Sequence, residues 1–238
     1  MTIHILATGT SRGIGKAILD RFGAEDVRIV GHRSGATDDD DGMIAADLTD
    51  ATAPRRIWEQ ALDKLDGRID VLVNNAGIFE AASIDAPDAA WTDSWNRTMQ
   101  VNLASAADLC RHAVLHFRRH GGGRIVNVAS RAAYRGDSPA HWHYAASKAG
   151  MVAMTKTIAR GYAAENILAF AICPGFTLTG MAEDYLASRR CEKLLADIPL
   201  GRVADPAEIA ETVRFLALAA PPSMTGAVID INGASYVR

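Results

Sequence analysis

Short apolar runs of strand length alternate with longer segments in which apolar residues recur at helical spacing. The sixth run is continuously apolar, as expected for a strand covered by helices on both faces of a parallel sheet. Since strand and helix alternate without an internal break or repeat, the pattern predicts one α/β domain over residues 1–238. The predicted strands are residues 3–8, 27–30, 43–46, 69–73, 124–128, 167–172 and 228–231.

The connections between these strands differ in length. Residues 31–42 are few for a crossover between parallel strands, so we expect a loop or single turn there. A long helical region is predicted from about 91 to 120, and Asp205-Pro206-Ala207-Glu208 reads as a capping box that opens a helix through Leu218. Residues 176–202 form an irregular segment that we interpret as the substrate-binding part of the domain.

Composition narrows the choice of partners and compartment. A net charge of −3 over 238 residues shows no basic excess for nucleic acid. The cysteines, Cys110, Cys173 and Cys191, have no paired spacing, which argues against disulfides or zinc and favours a reducing cytoplasm. No apolar run approaches the roughly 20 residues of a membrane span, and no secretory leader is expected at the start.

A glycine-rich turn follows the first strand and precedes a helix. Its sequence is Gly9-Thr10-Ser11-Arg12-Gly13-Ile14-Gly15. Such a turn exposes backbone N–H groups at a helix N-terminus and lets a pyrophosphate approach the main chain. A plain strand-to-helix connection is the alternative reading of the same turn.

The residues after the second strand bear on the choice of dinucleotide. A carboxylate there would bind a ribose 2′-hydroxyl, whereas a base would accept a 2′-phosphate. The strand leads into Gly31-His32-Arg33-Ser34, and no carboxylate occurs before Asp38. Arg33 and Arg12 are therefore candidates for a 2′-phosphate clamp, which favours NADP(H) over NAD(H). The alternative is that both arginines are simply solvated.

Tyr144 and Lys148 are spaced to share one face of a helix. A free tyrosine titrates at about 10, and a close cation in a partly dry cleft favours the phenolate, so the pair could move a proton near neutral pH. A solvated helix face is the common alternative. Ser130, at a strand end, and Asn102, on the long helix, are candidate helpers that could instead serve only as structural hydrogen-bonding groups.

Two groups of side chains raise the question of a metal site. Asp38 to Asp41 are adjacent carboxylates without the spacing of a calcium loop, so we expect a solvated loop. His112, His116 and His120 recur every four residues near a helix end, where surface groups that compensate the helix dipole are the commoner case. We predict no metal.

Several motifs occur together in a characteristic order. Thr8-Gly9 with Gly13-Ile14-Gly15, Asn74-Asn75-Ala76-Gly77, Asn102, Ser130, Tyr144 with Lys148, and Pro174-Gly175 resemble the short-chain dehydrogenase/reductase family over essentially the whole chain, nearest to members similar to 3-oxoacyl-[acyl-carrier-protein] reductases. The resemblance implies a Rossmann-type, doubly wound, seven-stranded parallel sheet in the order 3-2-1-4-5-6-7, with helices on both faces. The chain departs from the family in two places: the connection between the second and third strands is shorter, and the loop from Ser130 to Tyr144 is longer.

The resemblance also implies a role for each matched residue. Tyr144 would be the acid/base, Ser130 would orient the substrate oxygen, Lys148 would tune Tyr144 and hold the nicotinamide ribose, and Asn102 would position a water. Further residues are implied to bind the cofactor. The phosphate turn comprises Gly9, Ser11, Arg12, Gly13, Ile14 and Gly15, with Arg33 beside it for a 2′-phosphate. Asp47 and Leu48 would flank the adenine, Asn75, Ala76 and Gly77 would lie along the adenosine ribose, and Pro174, Gly175, Thr177 and Thr179 would contact the nicotinamide carboxamide.

These observations predict an NADPH-dependent oxidoreductase acting on a carbonyl compound or secondary alcohol. Its substrate would be a small apolar ketone or 3-oxoacyl-type compound, in a pocket lined by Phe79, Tyr134, Trp142, Phe176, Met181 and Tyr185. The alternative is a non-catalytic NADP(H)-binding sensor or scaffold, although such proteins commonly lose the tyrosine or lysine that this chain keeps. A homo-oligomer, dimer or tetramer, is a further expectation from the family.

Overall fold

A computed structural model of the chain describes residues 2–35, 42–179 and 195–238. The described residues form a seven-stranded sheet in the order β3-β2-β1-β4-β5-β6-β7, and every neighbouring pair is parallel. The predicted fold class and strand order are therefore confirmed. The strands are β1 (Ile3–Ala7), β2 (Val27–Arg33), β3 (Ile44–Ala45), β4 (Val71–Asn74), β5 (Gly123–Val128), β6 (Ile167–Pro174) and β7 (Val228–Ile231).

Helices connect these strands and cover the sheet. Within the described ranges, no helix is long and apolar enough to cross a membrane. The α-helices are α1 (Gly13–Phe22), α2 (Ala53–Lys64), α3 (Asp88–Met99), α4 (Ser105–Phe117), α5 (Ala132–Arg135), α6 (Trp142–Tyr162) and α7 (Pro206–Arg214). Single π-helical turns follow α3 at Gln100–Ala104 and α7 at Phe215–Ala219, and short 3₁₀ turns lie at Ala163–Glu165 and Pro222–Met224.

The hydrophobic core lies on both faces of the sheet. One cluster joins α2 and α4 to the sheet around the fully buried Phe117, and another joins α1 and α7 around Phe22 and Phe170. Successive residues of β1 point to opposite faces, so that Leu6 packs in the first cluster and Ile5 in the second. This two-sided burial explains why the strands are apolar at nearly every position.

Some predicted boundaries were wrong. β2 continues through Arg33 because His32 and Arg33 pair with the short strand β3. The predicted long helix consists of α3, a π-helical turn and α4, and it ends at Phe117. By contrast, the predicted capping box at Asp205 is confirmed, with Glu208 accepting from the backbone N–H of Asp205.

Two predicted segments fall partly beyond the described residues. The short crossover between β2 and β3 includes residues 36–41, and Asp38 to Asp41 lie there. The segment 176–202 includes residues 180–194, which contain Met181, Tyr185 and Cys191. These parts lie outside the described ranges.

Candidate active site

The carboxyl ends of the parallel strands bring the predicted motifs to one edge of the sheet. The glycine turn follows β1, Asn75 follows β4, Ser130 follows β5, and Gly175 follows β6. In open α/β sheets of this kind, ligands bind in the crevice outside these strand ends. The fold thus assembles one site from distant parts of the sequence.

The glycine turn has a shape that larger residues would prevent. Gly9 has a φ of +67°, and a Cβ on it would lie 2.6 Å from the Cα of Ala76. A Cβ on Gly15 would lie 1.9 Å from the carbonyl oxygen of Gly9. Helix α1 begins at Gly13, and no side chain caps its N-terminus at Arg12. The first N–H groups of α1 lack intrahelical acceptors, so the turn fits the phosphates of a dinucleotide.

Asn75 ties the end of β4 to this turn. Its Nδ2 donates to the carbonyl oxygens of Thr8 (3.0 Å) and Gly9 (2.9 Å). The Thr8 hydroxyl accepts from the backbone N–H groups of Asn75 and Ala76, both at 3.1 Å. The Asn75 amide therefore shapes the turn, a role that the sequence did not reveal.

Residues expected along the adenosine half of the cofactor differ in exposure. Asp47 is exposed and its Oδ1 accepts from the N–H of Thr49 at 2.9 Å, whereas the Leu48 side chain is 3% exposed and packs in the core. Gly77 is exposed. Leu48 can therefore present only its backbone to a cofactor at this position.

Of the two arginines expected at a 2′-phosphate, one lies in the glycine turn and the other ends the neighbouring strand β2. Arg33 is half-buried at the end of β2, opposite Ala45 of β3, and Arg12 is exposed at the start of α1. His32, beside Arg33, is a buried polar residue that sequence reasoning missed. A histidine inside an apolar strand next to Gly31 was the signal that could have found it.

Residues after β6 form the other wall of the crevice. A Cβ on Gly175 would lie 2.8 Å from the Cα of Asn232, and the buried Thr177 hydroxyl donates to the carbonyl oxygen of Gly175 at 3.2 Å. Thr179 lies across the glycine turn, since its Cγ2 is 3.0 Å from the position of a Cβ on Gly13. Thr179 therefore lies beside the glycine turn, and contact of Pro174, Gly175, Thr177 and Thr179 with a nicotinamide carboxamide stays a prediction.

Tyr144 lies in the first turn of α6, against Ser130. Burial raises the pKa of Tyr144 to about 12, and a hydrogen bond with the Ser130 hydroxyl opposes this increase. The Ser130 Oγ also accepts from the backbone N–H of Ala132 at 3.1 Å, which orients the hydroxyl. The geometry therefore keeps Tyr144 protonated at neutral pH.

Lys148 lies one turn further along α6, as predicted, but the pKa of Tyr144 is raised rather than lowered. The Nζ atom is 5.8 Å from the centre of the Tyr144 ring and donates to the carbonyl oxygen of Val128 at 2.9 Å. Lys148 is 4% exposed, and burial lowers its pKa to about 8. The expected lowering of the Tyr144 pKa is corrected accordingly, because burial of the phenol is the larger effect.

Asn102 lies in the π-helical turn between α3 and α4 and is fully buried. Its Oδ1 accepts from the N–H of Ile78 at 2.8 Å, and its Nδ2 donates to the carbonyl oxygen of Ile78 at 2.9 Å. The Nδ2 also lies 3.3 Å from the Ser147 hydroxyl, which donates to the carbonyl oxygen of Tyr144 at 2.7 Å. Asn102 thus connects the loop that follows β4 to α6, the helix that carries Tyr144 and Lys148.

Two exposed aromatic rings lie close to residues of the site. Phe79 is 37% exposed, stacks on His141 at 3.9 Å and meets the Tyr144 ring edge-on at 4.8 Å. Phe176 is 41% exposed, with the Arg131 guanidinium 4.6 Å above its ring. Phe79 therefore provides an apolar surface next to Tyr144.

Tyr134 was predicted to line the substrate pocket, but its contacts are with residues near the C-terminus. It stacks on Tyr236 at 6.1 Å, and its hydroxyl accepts from Arg238 at 2.9 Å. Contacts with the C-terminal residues therefore occupy this side chain. Trp142 is 53% exposed at the start of α6.

The histidines of α4 pack against α2 and β4. His112 and His116 contact the Trp58 ring, and His116 Nε2 accepts from the N–H of Ile69 at 3.2 Å. Burial lowers the pKa of His116 to about 4. Among the described residues, no group of three or more histidine, cysteine or acidic side chains is arranged to hold a metal.

Comparisons with known proteins agree with this architecture. A family model described as "Enoyl-(Acyl carrier protein) reductase" matches residues 9–234. The 3-oxoacyl-[acyl-carrier-protein] reductase FabG of Thermotoga maritima is 35% identical over 240 residues, covering 96% of this chain and 95% of the relative. The FabG of Vibrio cholerae is 33% identical over 241 residues, covering 98% and 96%.

Among solved structures, the ligand-free aldohexose dehydrogenase of Thermoplasma acidophilum is similar, with a TM-score of 0.87 and 27% identity over 100% of this chain and 95% of that one. The names of these relatives differ in substrate, and each describes a reductase or a dehydrogenase. With the strand order and the cluster of Ser130, Tyr144 and Lys148, they show that the chain belongs to the short-chain dehydrogenase/reductase family of oxidoreductases.

Proposed function

We propose that this oxidoreductase uses NADPH to reduce a carbonyl group, or NADP⁺ to oxidise the matching secondary alcohol, with Tyr144 as the acid/base. The observation that carries the proposal is the placement of Tyr144 against the Ser130 hydroxyl, one helical turn from a buried Lys148. An acid, an orienting hydroxyl and a cation are the groups that carbonyl reduction requires from the protein.

Each group of the chain has a distinct part in this chemistry. The Ser130 hydroxyl, oriented by the N–H of Ala132, hydrogen-bonds the substrate oxygen. Tyr144, with a pKa raised to about 12, holds its proton until the oxygen takes it, which suits the reductive direction. A bound nicotinamide supplies the hydride. Lys148 places a buried cation near Asn102 and Gly77, from which it would hold the nicotinamide ribose.

The turn after β1 and the two arginines support NADP(H) over NAD(H). Residues 31–35 at the end of β2 contain no carboxylate, whereas Arg33 and Arg12 are suited to a 2′-phosphate. The proposed cofactor residues are Gly9, Ser11, Arg12, Gly13, Ile14, Gly15, Arg33, Asp47, Leu48, Asn75, Ala76, Gly77, Tyr144, Lys148, Pro174, Gly175, Thr177 and Thr179.

The substrate of the proposed reaction is an apolar ketone or 3-oxoacyl-type compound. Two observations support this class: the exposed ring of Phe79 against Tyr144, and relatives named as 3-oxoacyl reductases. We also propose a cytoplasmic homo-oligomer. Exposed Leu115 on α4 and Trp142 on α6 support this assembly.

The test is Tyr144→Phe, assayed with NADPH and a panel of apolar ketones, 3-oxoacyl thioesters and aldoses. Loss of the phenolic proton should lower kcat by about 10²-fold or more, while the NADPH dissociation constant should rise by less than about threefold, because Phe keeps the ring and lacks only the hydroxyl. A variant that kept most of its activity would refute the role of Tyr144. Wild-type protein that bound NADPH without turnover on any substrate would favour the sensor instead.

A further inference from the structure

His32 lies directly behind the glycine turn, at the carboxyl end of β2, and is 1% exposed. The backbone N–H of Gly9 donates to its Nδ1 at 3.2 Å, and its Nε2 donates to the carbonyl oxygen of Ala46 at 2.9 Å. The carbonyl oxygen of His32 also accepts from the N–H of Thr10 at 2.8 Å and from the Thr10 hydroxyl at 3.2 Å. One residue thus holds the first half of the turn.

These partners fix the chemical state of the ring. A backbone N–H can only donate, so Nδ1 must be the unprotonated acceptor and Nε2 must carry the hydrogen. Burial lowers the pKa of His32, which favours this neutral form. The ring therefore presents one acceptor to the turn and one donor to the end of β3.

The hydrogen bonds to His32 determine which backbone N–H groups of the turn face the proposed dinucleotide site. Because the N–H groups of Gly9 and Thr10 point inward to His32, the N–H groups at the start of α1 remain to meet an anion. The bond to Ala46 holds the backbone just before Asp47, at the proposed adenine side. His32 thus connects the pyrophosphate and adenine parts of the proposed dinucleotide site without reaching its surface.

We infer that His32 is a positioning residue for the dinucleotide, with Nδ1 fixing the turn under the pyrophosphate and Nε2 fixing the adenine side; this rests on the proposed function. The pyrophosphate is common to NADPH and NADH. Loss of the Nδ1 acceptor should therefore weaken both cofactors equally, which distinguishes it from loss of a 2′-phosphate contact.

Two substitutions distinguish the contributions of the two ring nitrogens of His32. In His32→Asn the Oδ1 atom takes the place of Nδ1 and still accepts from Gly9. In His32→Gln the amide nitrogen takes the place of Nε2, so the Ala46 bond is kept and the Gly9 N–H is left unpaired. We expect dissociation constants for both NADPH and NADH that are about tenfold higher in His32→Gln and about threefold higher in His32→Asn, which keeps the Gly9 bond and loses only the Ala46 bond. The kcat at saturating cofactor should stay within about twofold in both variants.

His116 offers a matched control far from the strand ends that form the site. Its Nε2 accepts from the N–H of Ile69 at 3.2 Å, so the bond has the same type and length as that of Gly9. In His116→Asn the acceptor is lost, because Asn reproduces Nδ1 and not Nε2. This variant should lower Tm as His32→Gln does and leave both dissociation constants unchanged.

The outcomes separate the claims. Wild-type affinity for both dinucleotides in His32→Gln, or an equal loss in His116→Asn, overturns the inference, as does a loss confined to NADPH. If His32→Gln does not fold, His32→Phe keeps the ring volume without nitrogens, and the same loss for both dinucleotides is expected from it. Wild-type protein that binds neither dinucleotide overturns the proposed function, and the inference with it.

Discussion

Replacing Asn102 with Leu removes a buried amide whose two ends both bind Ile78. The substitution keeps a similar volume but leaves the N–H and the carbonyl oxygen of Ile78 without the partners they have at 2.8 and 2.9 Å. An unpaired buried polar group costs about 1–3 kcal/mol, so two should lower the free energy of unfolding by about 3 kcal/mol. For a chain of this size, that corresponds to a Tm decrease of roughly 6–12 °C.

The assay is urea and thermal unfolding followed by circular dichroism, with hydrogen exchange of the Ile78 amide as the local measurement. Ser105→Ala is the control, because the Ser105 hydroxyl donates within its own helix to the carbonyl oxygen of Val101 at 2.7 Å and supports no loop. Ser105→Ala should lower the free energy of unfolding by less than about 1 kcal/mol. Unchanged unfolding and unchanged Ile78 exchange in Asn102→Leu would refute the reasoning.

Three further predictions follow from other parts of the molecule. Arg33→Ala should raise the NADPH dissociation constant at least about tenfold in a binding titration and leave the NADH dissociation constant unchanged, since only NADPH has the 2′-phosphate. Equal increases for the two cofactors would contradict the proposed contact of Arg33 with the 2′-phosphate. Gly15→Ala should abolish dinucleotide binding, because its Cβ would lie 1.9 Å from the Gly9 oxygen, whereas Gly161→Ala, with nothing within 4 Å of its Cβ, should fold and bind normally. The folded-state pKa of His116, about 4, is below its ordinary value of 6.5, so the unfolded chain takes up the proton first and stability falls as pH decreases from about 6.5 to 4. His116→Gln should make urea midpoints less dependent on pH over this range, and an unchanged dependence would contradict the assignment.

The order of elements was predictable because it depends on local patterns. Continuous apolar strands with amphipathic helices between them are typical of a parallel sheet, and the capping box at Asp205 fixed a helix start to the residue. The spacing of Tyr144 and Lys148 correctly placed both on one helix. Motif order then indicated which strand ends would meet.

The sequence predicted less well where a contact joins distant residues. β2 extends to Arg33 because β3 pairs with it, and no local signal at 31–33 shows that pairing. The π-helical turn at Asn102 interrupts a segment whose pattern is uniformly helical. The Tyr144 pKa was predicted from spacing to one cation, while burial by the surrounding fold moves it in the opposite direction.

By itself, the sequence determined the fold class, the strand order through the family resemblance, and the residue types that gather at the strand ends, because periodicity and motif spacing are properties of neighbouring positions. Only the tertiary structure decided how those residues are held: that His32 supports Gly9 from behind, that Asn102 binds both backbone groups of Ile78, and that Tyr134 packs with the C-terminal residues. Hydrogen bonds and burial depend on groups that folding brings together across tens of residues, and a linear pattern does not contain those distances.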